Sequence, residues 1–590
     1  MKETIVSSTL KETWPNTGKI IFLGTWCRTY SEKKDSFNFE SETIEYHWND
    51  RLKFKNDVKL IESITEEYLE KISKILNSIH GSNESIRYWR ILIGWWLTVF
   101  IQILFDRWFM ANLAAQKFPN AEIIRNTSSK YSFTTKNTAE FVYQASYDEY
   151  WNEKITSDIF EFFTKLKVNH NETISKQIKI GNTYTQSKPK IIKYFYSLSY
   201  KLISKISPKA LDLSLESTYL NRVSRFKLNY LTRTLPIKFL SWDIKDKIVS
   251  EEIRNWKFPH RENSEFKDVL EYFIPIYLPT CFLEEYKINQ ENVDKVRQYF
   301  SPRIIVTAND FAENEPWKFW AASCVGAGSK LIIAQHGGLY GVAEYLATQN
   351  YEISISDRFL TWGWTNQFEP KTFAAPAMKL LSMRKVPQKS NKNCILTTMV
   401  LPPRSYHLGS QPIGPQVEDY LNDQFTFVKN ISDEVLSNLT VRLFPIDHGW
   451  EQELRWRNFN KNIKTNAQGG NMNLLMKSSK LFISTYNATT YLESFRRNIP
   501  TVIFWNPFQW EISEDARPYF ELLKGAKILF EDPKSAANHV NLIWNYVEGW
   551  WNSKAVSEAV ELFSKRYAYV GNNPLNELKN AIQLNGNVEK

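Results

Sequence analysis

The sequence predicts an α/β protein with two doubly wound, parallel-sheet domains that face a cleft, and a helical insertion in the first domain. From about residue 300, short apolar runs alternate with helical stretches, as in a parallel sheet covered on both faces. The series restarts after the polar segment VPQKSNKN at 386–393, and 590 residues exceed one core. The predicted domains are 1–385 with an insertion at about 120–260, a ligand-binding domain at 386–550, and helices at 551–590 that pack back toward the first domain.

The composition indicates a globular protein of a reducing compartment. Charged residues make up 23% of the chain and the net charge is +10. The four cysteines are far apart and form no CxxC motif, which favours the cytoplasm over an oxidising compartment. The first residues lack the apolar stretch of a signal peptide, so we expect none.

The N-terminal part begins with a buried strand and two long helices. KIIFLGTW at 19–26 is typical of a strand that ends at a glycine, and apolar spacing predicts helices at 60–81 and about 84–117. The second helix contains ILIGWWLTVFIQILF at 91–105, which is shorter than the ~20 residues that a membrane span needs. We predict a buried core helix there, with interfacial docking as the alternative.

A basic amphipathic helix is predicted at 190–209. Residues 161–209 hold ten lysines against two glutamates, a charge of +8. An apolar face opposite lysines is typical of a helix that binds an anionic membrane surface. An ordinary surface helix with a solvated charged face is the alternative, and no nucleic-acid-binding motif accompanies the charge. The candidate membrane-surface residues are Lys190, Lys193, Lys201 and Lys205.

Five strands are predicted in the second domain and two near the end of the first. Ligands of open parallel sheets bind at the carboxyl ends of strands, and each polar cluster discussed below follows a strand. The first-domain strands are RIIVTAND (303–310) and KLIIA (330–334), and the others are CILTTMV (394–400), LTVRLFP (439–445), KLFISTYN (480–487), IPTVIFWNP (499–507) and AKILF (526–530).

The first polar cluster is Gln335-His336-Gly337-Gly338, directly after an apolar strand. The glycines allow a ligand to approach the backbone closely. His336 is suited to donate to phosphate or to act as a general acid or base, although a hydrogen-bonded structural histidine is the alternative.

Two further clusters follow strands of the second domain. In VRLFPIDHGW, Arg442, Asp447 and His448 surround a proline turn that either binds base and phosphate or is a plain surface turn. In STYNATTYLES, a strand leads into a helix start that is typical of a phosphate site, and Glu493 is placed to accept hydrogen bonds from a ribose. A capping box uses the same residue types. The candidate donor-binding residues here are Ser484, Thr485, Asn487, Thr489, Thr490 and Glu493.

The fourth cluster lies near the N-terminus, in FLGTWCR and EYHWNDR. The strand-glycine pattern predicts that polar residues of both motifs reach the cleft, and an aspartate beside an arginine would stay ionised as a base or nucleophile. A structural salt bridge is the alternative. The candidate residues are Thr25, Trp26, Arg28, His47, Asp50 and Arg51.

Several common catalytic motifs are absent from the sequence. GAGSK at 326–330 fits neither GxGxxG nor GxxxxGK[ST], and there is no HExxH, GxSxG or D-x-D pair. Without such an acidic pair, we expect a metal-independent site in which Arg, His and helix amides neutralise a leaving phosphate, and no cofactor.

Together, FLGTWCR, EYHWNDR, YWRILIGWWL, QHGGLYG and VRLFPIDHGW resemble the O-antigen and capsule transferase family of bacterial surface-polysaccharide synthesis, with the GT-B fold of two facing Rossmann-like domains. The resemblance spans most of residues 19–570 and is weakest at 120–260. Neighbouring groups transfer nonulosonic acids such as Kdo or pseudaminic acid from CMP-activated donors. The resemblance therefore implies a glycosyltransferase with a CMP-sugar donor and a lipid-linked acceptor, at the inner face of the cytoplasmic membrane.

The resemblance also implies roles for individual residues. Thr489 and Thr490 would bind phosphate, Glu493 the ribose, and Arg442, Asp447 and His448 the base or phosphate; the loop of Gln335, Gly337 and Gly338 would join the donor site. Many relatives have a His-Pro pair where this chain has Phe444-Pro445, with His448 three residues later. His336, Asp310 and Asp50 would face the sugar, Asp50 as nucleophile in a retaining reaction, or an Asp or His as general base in an inverting one. Thr25, Trp26, Arg28, His47 and Arg51 would lie on the acceptor side.

Three other functions remain open on this evidence. One is a polyol-phosphate transferase that uses CDP-glycerol. Another is a transferase of hexoses from UDP or GDP, and the third is a non-catalytic assembly factor at the membrane surface.

Overall fold

The computed structural model describes residues 2–34, 40–174, 190–258, 265–387, 393–404, 407–466 and 472–583. These residues form three parallel sheets. The first contains β1 (Glu3–Val6), β2 (Lys19–Phe22), β3 (Ser41–Thr43), β4 (Glu122–Thr127) and β5 (Lys167–Ile174). The second contains β6 (Leu213–Glu216), β7 (Ile304–Thr307), β8 (Lys330–Ala334), β9 (Arg358–Thr361) and β10 (Thr372–Ala374). The third contains β11 (Asn393–Thr397), β12 (Leu439–Arg442), β13 (Lys464–Asn466), β14 (Ser479–Ser484), β15 (Thr501–Phe504) and β16 (Leu529–Phe530).

Helices connect the strands and cover the sheets. In the first two sheets' part of the chain they are α1 (Tyr30–Lys34), α2 (Arg51–His80), α3 (Ile86–Lys117), α4 (Thr138–Tyr147), α5 (Glu149–Phe163), α6 (Lys190–Ile206), α7 (Arg222–Thr232), α8 (Glu251–Arg254), α9 (Glu265–Tyr277), α10 (Tyr286–Arg297), α11 (Asp310–Glu313), α12 (Glu315–Gly326) and α13 (Ala347–Ile355). Those that follow are α14 (Val417–Asn430), α15 (Asp433–Ser437), α16 (Gln452–Phe459), α17 (Met472–Lys477), α18 (Thr489–Arg496), α19 (Arg517–Gly525), α20 (Pro533–Ile543), α21 (Val547–Trp551), α22 (Lys554–Tyr567) and α23 (Pro574–Ile582).

The predicted α/β class with parallel sheets is confirmed, but the segment 120–260 is not a helical insertion. Its described residues supply β4 and β5 to the first sheet and β6 to the edge of the second. The reason is that these strands are short or polar, as in KVNHNETI at 167–174, so they lack the apolar run that marks a buried strand. The chain therefore carries a third sheet that the two-domain prediction did not include.

The second sheet has its strands in sequential order, β10-β9-β8-β7-β6. Right-handed crossovers then place the connecting helices on one face of the sheet, so other elements of the chain must cover the opposite face. Alternate strand residues such as Val306 and Ile332 pack there with Leu228 of α7 and with Leu578 and Ile582 of α23. The last helix thus covers a face of the second sheet. This sheet lies within residues 1–385, the predicted first domain toward which residues 551–590 are expected to pack.

The third sheet has the order β13-β12-β11-β14-β15-β16, which is the 3-2-1-4-5-6 order of a Rossmann sheet. The order reverses between β11 and β14, and ligands of such sheets bind in the crevice at that point. The linker predicted at 386–393 lies mostly outside the described residues.

Helix α3 is the longest helix described and is the one that could cross a membrane by length and composition. Its most apolar window is 89% buried against other parts of the protein, including α2, α12 and α5. The prediction of a core helix is confirmed. It extends further than the apolar run 91–105 because Ser85 caps its start by accepting from the Tyr88 amide.

Candidate active site

Hydroxyl groups at the bottom of the third sheet's crevice form hydrogen bonds within the protein. Thr485 Oγ1 donates to the Thr397 carbonyl at 2.7 Å and lies 2.6 Å from Tyr420 Oη. Ser484 Oγ donates to the Tyr486 carbonyl at 3.3 Å. Both predicted donor-binding residues are fully buried, so their hydroxyls shape the crevice rather than face a ligand.

Helix α18 starts at this crevice without a side-chain cap. Ala488 occupies its N-cap position, and no described side chain accepts from its first-turn amides there. Asn487, 1% exposed, accepts from Tyr491 Oη at 3.1 Å, while its Nδ2 has no partner among the described residues. An unpaired buried donor costs about 1–3 kcal/mol. The uncapped backbone amides of α18 and the side-chain nitrogen of Asn487 together suit an anionic or hydroxyl-bearing ligand.

The loop after β8 approaches this helix start from the second sheet. The Gly338 amide donates to Thr489 Oγ1 at 3.2 Å. A Cβ on Gly338 would lie 2.6 Å from the Ala488 carbonyl, so the approach requires glycine. The QHGG and NATT motifs, whose contacting residues lie 151 positions apart in sequence, therefore form one seam between the second and third sheets.

Gln335 holds this loop in shape from inside the protein. Its Oε1 accepts from the Trp362 amide and from Trp364 Nε1, both at 2.8 Å, and its Nε2 donates to the Gly337 carbonyl at 2.8 Å. Its side-chain amide is thus used within the fold, and the predicted donor-binding role for Gln335 gives way to a structural one.

His336 remains partly open, with 25% of its side chain exposed. Tyr340 Oη lies 3.3 Å from its Nδ1 and 3.2 Å from its Nε2, and donates to the fully buried Glu352. Burial, reinforced by the Lys379 ammonium, lowers the pKa of His336 to about 4. Burial also raises the pKa of Glu352 well above its usual range. At neutral pH the imidazole is therefore neutral, so its 3.8 Å contact with Glu352 is not an ion pair.

Lys379 and Glu493 face each other across the same seam. Lys379 Nζ lies 4.0 Å from Glu493 Oε1 and 5.4 Å from the centre of the Tyr219 ring. Burial raises the pKa of Glu493, while Lys379 and Arg497 oppose that shift. Lys379 was missed by the sequence reasoning, because it follows no strand motif and its role comes only from the fold.

Asp310 lies at the edge of the same region but its carboxylate is engaged. It accepts from Thr307 Oγ1 and Asn314 Nδ2, both at 3.0 Å. It lines a cleft of about 440 Å³ together with Asn309, Asn314 and Trp242. Nearby, burial raises the pKa of Glu313 to about 7. Asp310 thus belongs to a neighbouring cleft rather than to the His336 seam.

A separate pocket of about 220 Å³ lies between the first and third sheets. It brings together the predicted residues Thr25, Trp26, Arg28 and His448, with Tyr147 and Arg404 added by the fold. His448 Nδ1 lies 2.9 Å from Tyr147 Oη, and burial lowers the pKa of His448 to about 4. His448 is thus grouped with the residues predicted for the acceptor side, not with the helix start of α18.

Four other predicted residues have structural contacts. Asp447 accepts from the amides of Glu451 and Gln452 at 2.8 Å each, at the start of α16, and Asp50 accepts from those of Leu52 and Lys53 at 3.0 Å each, at the start of α2. His47 Nε2 lies 3.1 Å from Asp106 Oδ1 in the core, and Arg51 forms two bonds of 2.6 and 2.9 Å to Glu511.

The sequence pattern alone does not distinguish these structural contacts from catalytic ones. A helix cap and a domain-bridging pair use the same residue types as a catalytic cluster. Only Oδ1 of the exposed Asp50 carboxylate accepts from helix amides, and its role as a nucleophile stays a prediction. Arg442 ends β12 beside the crevice, with its Nε buried and unpaired among the described residues.

A Rossmann-ordered sheet with an open helix start, faced by the loops of a second parallel sheet, defines an α/β protein with a crevice between two sheet edges. The chain belongs to the LIC12162 family of transferases, whose model matches residues 3–582. No curated protein matches it.

Two solved structures are among those similar to the chain. MurG of Acinetobacter baumannii is 10% identical with a TM-score of 0.31, covering 66% of this chain and 96% of MurG. WaaG, described as a glycosyltransferase involved in lipopolysaccharide biosynthesis, is 8% identical with a TM-score of 0.27, covering 51% of this chain and 95% of WaaG. At these scores neither bears on the function of this chain.

Proposed function

We propose that this transferase is a metal-independent glycosyltransferase that moves a nonulosonic acid from a CMP-activated donor to a lipid-linked surface glycan. The observation that carries the proposal is the contact between Gly338 and Thr489, which unites His336, Lys379, Glu493 and an uncapped helix start at one switch point. Membership of a transferase family supports a group-transfer reaction at that place.

The donor fits the charges of the seam. A CMP-activated nonulosonic acid carries two anionic groups, the phosphodiester and the sugar carboxylate. The seam offers two centres of positive potential, the first-turn amides of α18 and the Lys379 ammonium. Glu493, in the second turn of α18, supplies a carboxylate for the ribose hydroxyls. Cytidine and the nonulosonic acid themselves rest on the resemblance of the sequence motifs.

Transfer requires a base for the acceptor hydroxyl. In our proposal His336, neutral at pH 7, takes that proton as the acceptor oxygen bonds to the anomeric carbon. The bond from the anomeric carbon to the phosphate oxygen breaks, and CMP leaves with the electron pair. Lys379 and the helix amides stabilise the leaving phosphate. Among the described residues no group of three or more His, Cys, Asp or Glu is placed to hold a metal ion.

Nucleotide binding provides the first test. Isothermal titration calorimetry of the full chain with CMP, CDP, UDP and GDP, each with and without EDTA, should show binding of the cytidine nucleotides that EDTA leaves unchanged. Glu493→Ala should weaken it at least tenfold, whereas Glu561→Ala, an exposed change on α22, should not. Failure of every nucleotide to bind would refute the proposal.

Product analysis separates the neighbouring reactions. Mass spectrometry of the acceptor should show the mass of a nonulosonic acid and no added phosphorus. A phosphodiester product would instead identify a polyol-phosphate transferase, and binding of UDP or GDP alone would point to a hexose donor.

A further inference from the structure

Helix α6 exposes its apolar face instead of burying it. Phe195, Leu198, Leu202 and Ile206 recur every three or four residues and form one stripe, with Leu202 60% and Ile206 75% exposed. An amphipathic helix on a soluble surface ordinarily turns this stripe inward. The side of α6 that carries Tyr200 is buried, so the apolar stripe on another side faces outward.

Helix α7 carries a second stripe that the sequence reasoning missed. Val223, Phe226 and Tyr230 recur at the same spacing, and all are more than 60% exposed. Together the two stripes contain seven exposed large apolar side chains.

One segment of the chain contacts both helices. Tyr200 of α6 lies 3.4 Å from the carbonyl and from the amide nitrogen of Lys238. Arg225 of α7 donates to the Ile237 carbonyl at 3.0 Å. We call the exposed stripes of both helices the α6–α7 surface.

Basic side chains surround this surface. Exposed cations next to the stripes are Lys201, Lys205, Lys209, Arg222, Lys227 and Arg233. The side chains of Lys190 and Lys193 lie outside the described part of α6. Residues 175–189, also outside it, add Lys176, Lys179 and Lys188 to the sequence before α6.

We propose that the α6–α7 surface docks on an anionic lipid bilayer. Apolar side chains of an interfacial helix enter the boundary between headgroups and acyl chains, while flanking cations contact acidic headgroups. The charge argues against a second copy of the chain as the occupant, because pairing two such surfaces would bring like charges together. The docking of this surface does not depend on the reaction that the protein catalyses.

The position of the surface fits the proposed function. Helix α7 begins shortly after Tyr219, whose ring lies beside Lys379 and whose hydroxyl accepts from Asn309 Nδ2 at 3.2 Å. Docking through α7 therefore brings the seam near the bilayer, where a lipid-linked acceptor resides. This last step rests on the proposed glycosyltransferase function.

Vesicle flotation of the full chain tests the docking. Vesicles of phosphatidylglycerol and phosphatidylcholine should carry the protein upward, and vesicles of phosphatidylcholine alone should not. The paired changes Leu202→Ser with Ile206→Ser, and Phe226→Ser with Tyr230→Ser, should each reduce binding at least tenfold. Lys201→Gln with Lys205→Gln should reduce it by about fivefold for each charge removed, less at high salt. Leu542→Ser on α20, 67% exposed, is the matched control and should bind as the unchanged protein does.

Three results would overturn the proposal. One is absence of binding to anionic vesicles, and another is binding that the stripe variants leave intact. The third is a dimer, detected by light scattering, that the same variants dissociate, because the stripes would then join two copies of the chain. Calorimetry with cytidine nucleotides on the same variants separates the two proposals, since loss of docking should leave nucleotide binding unchanged.

Discussion

His336 lies at the end of a buried series of polar groups, and its environment fixes its protonation state. Tyr340 stands between the imidazole and Glu352, and the pKa values of His336 and Glu352 move in opposite directions on burial. Burial disfavours both charged forms, and with a pKa of about 4 the imidazole carries no charge at neutral pH. The imidazole therefore keeps one ring nitrogen unprotonated over a wide range of pH.

The pH dependence of kcat/KM tests this state. The neutral fraction of His336 falls only as the pH drops toward its pKa of about 4, so kcat/KM should show no acid limb near 6.5. Lys379→Met removes a charge that lowers this pKa, so the variant's acid limb should move to higher pH. A limb near 6.5 in the unchanged protein would contradict the assignment of His336 as base.

Gln335 offers a prediction about stability. Gln335→Leu leaves the Trp362 amide and Trp364 Nε1 without their acceptor in a buried place. Each unpaired donor costs roughly 1–3 kcal/mol, so the variant should melt at a lower temperature in a thermal scan. Gln116→Leu, an exposed change on α3, is the control. Equal melting of the two variants would show that Gln335 does not hold the loop.

At the scale of elements, the sequence predicted the strands that are apolar along their length. The strands β8, β11, β12, β14 and β15 fall within or next to the predicted runs, because parallel strands covered on both faces are continuously apolar. The edge strands β3, β5 and β13 escaped prediction, since they carry charged and polar residues that reach solvent. The apolar stripe of α7 also escaped prediction from the sequence, because only the structure shows that its side chains are exposed.

The candidate site was predictable to a similar extent. His336, Thr489 and Glu493 follow strands that the sequence marks, so their motifs could be found. Lys379 and Glu352 reach His336 only through tertiary packing, and no local pattern marks them. Asp50 and Asp447 accept from helix amides, and a capping carboxylate looks the same in sequence as a catalytic one.

The seam between the second and third sheets gives a prediction at this scale. Gly338→Ala places a methyl group against the Ala488 carbonyl and should push the β8 loop away from α18. We expect at least tenfold weaker nucleotide binding by calorimetry. Gly326→Ala, at the end of α12 with open space around it, should bind normally and stay within about 0.5 kcal/mol in stability. Normal binding by Gly338→Ala would show that the contact is not needed for the site.

At the scale of the whole molecule, the third sheet is attached to both other sheets. Arg51 bonds to Glu511, Glu451 accepts from the Ser31 amide at 2.8 Å, and the buried Arg404 pairs with Glu149. The seam at Gly338 adds an attachment to the second sheet. The third sheet is therefore held on two sides.

Arg404 provides a test of these attachments. Arg404→Ala leaves the largely buried Glu149 without its cation, which costs up to about 3–5 kcal/mol for a fully buried pair and less here because Glu149 is partly exposed. Arg404 helps to hold the pKa of Glu149 below its usual range. The pair's contribution is thus present above about pH 4.5 and is lost as the pH falls through the lowered pKa. The loss of stability should be smaller at pH 4 than at pH 7, and the variant Glu149→Gln with Arg404→Ala should recover part of it. Equal losses at both pH values would contradict an electrostatic origin.

The cover that α23 provides for the second sheet has a consequence for synthesis. While a ribosome produces the third sheet, Val306 and Ile332 have no access to Leu578 and Ile582, which are not yet made. At about 5–20 residues per second, that face of the second sheet has only α7 on it, and lacks the cover of α23, for on the order of ten seconds or more. The first sheet is complete before this interval, but the second sheet, with its QHGG loop, is closed only by the last helix. The nascent chain should therefore depend on chaperones during that interval, and a premature stop before α23 should yield an aggregating product rather than a shorter enzyme.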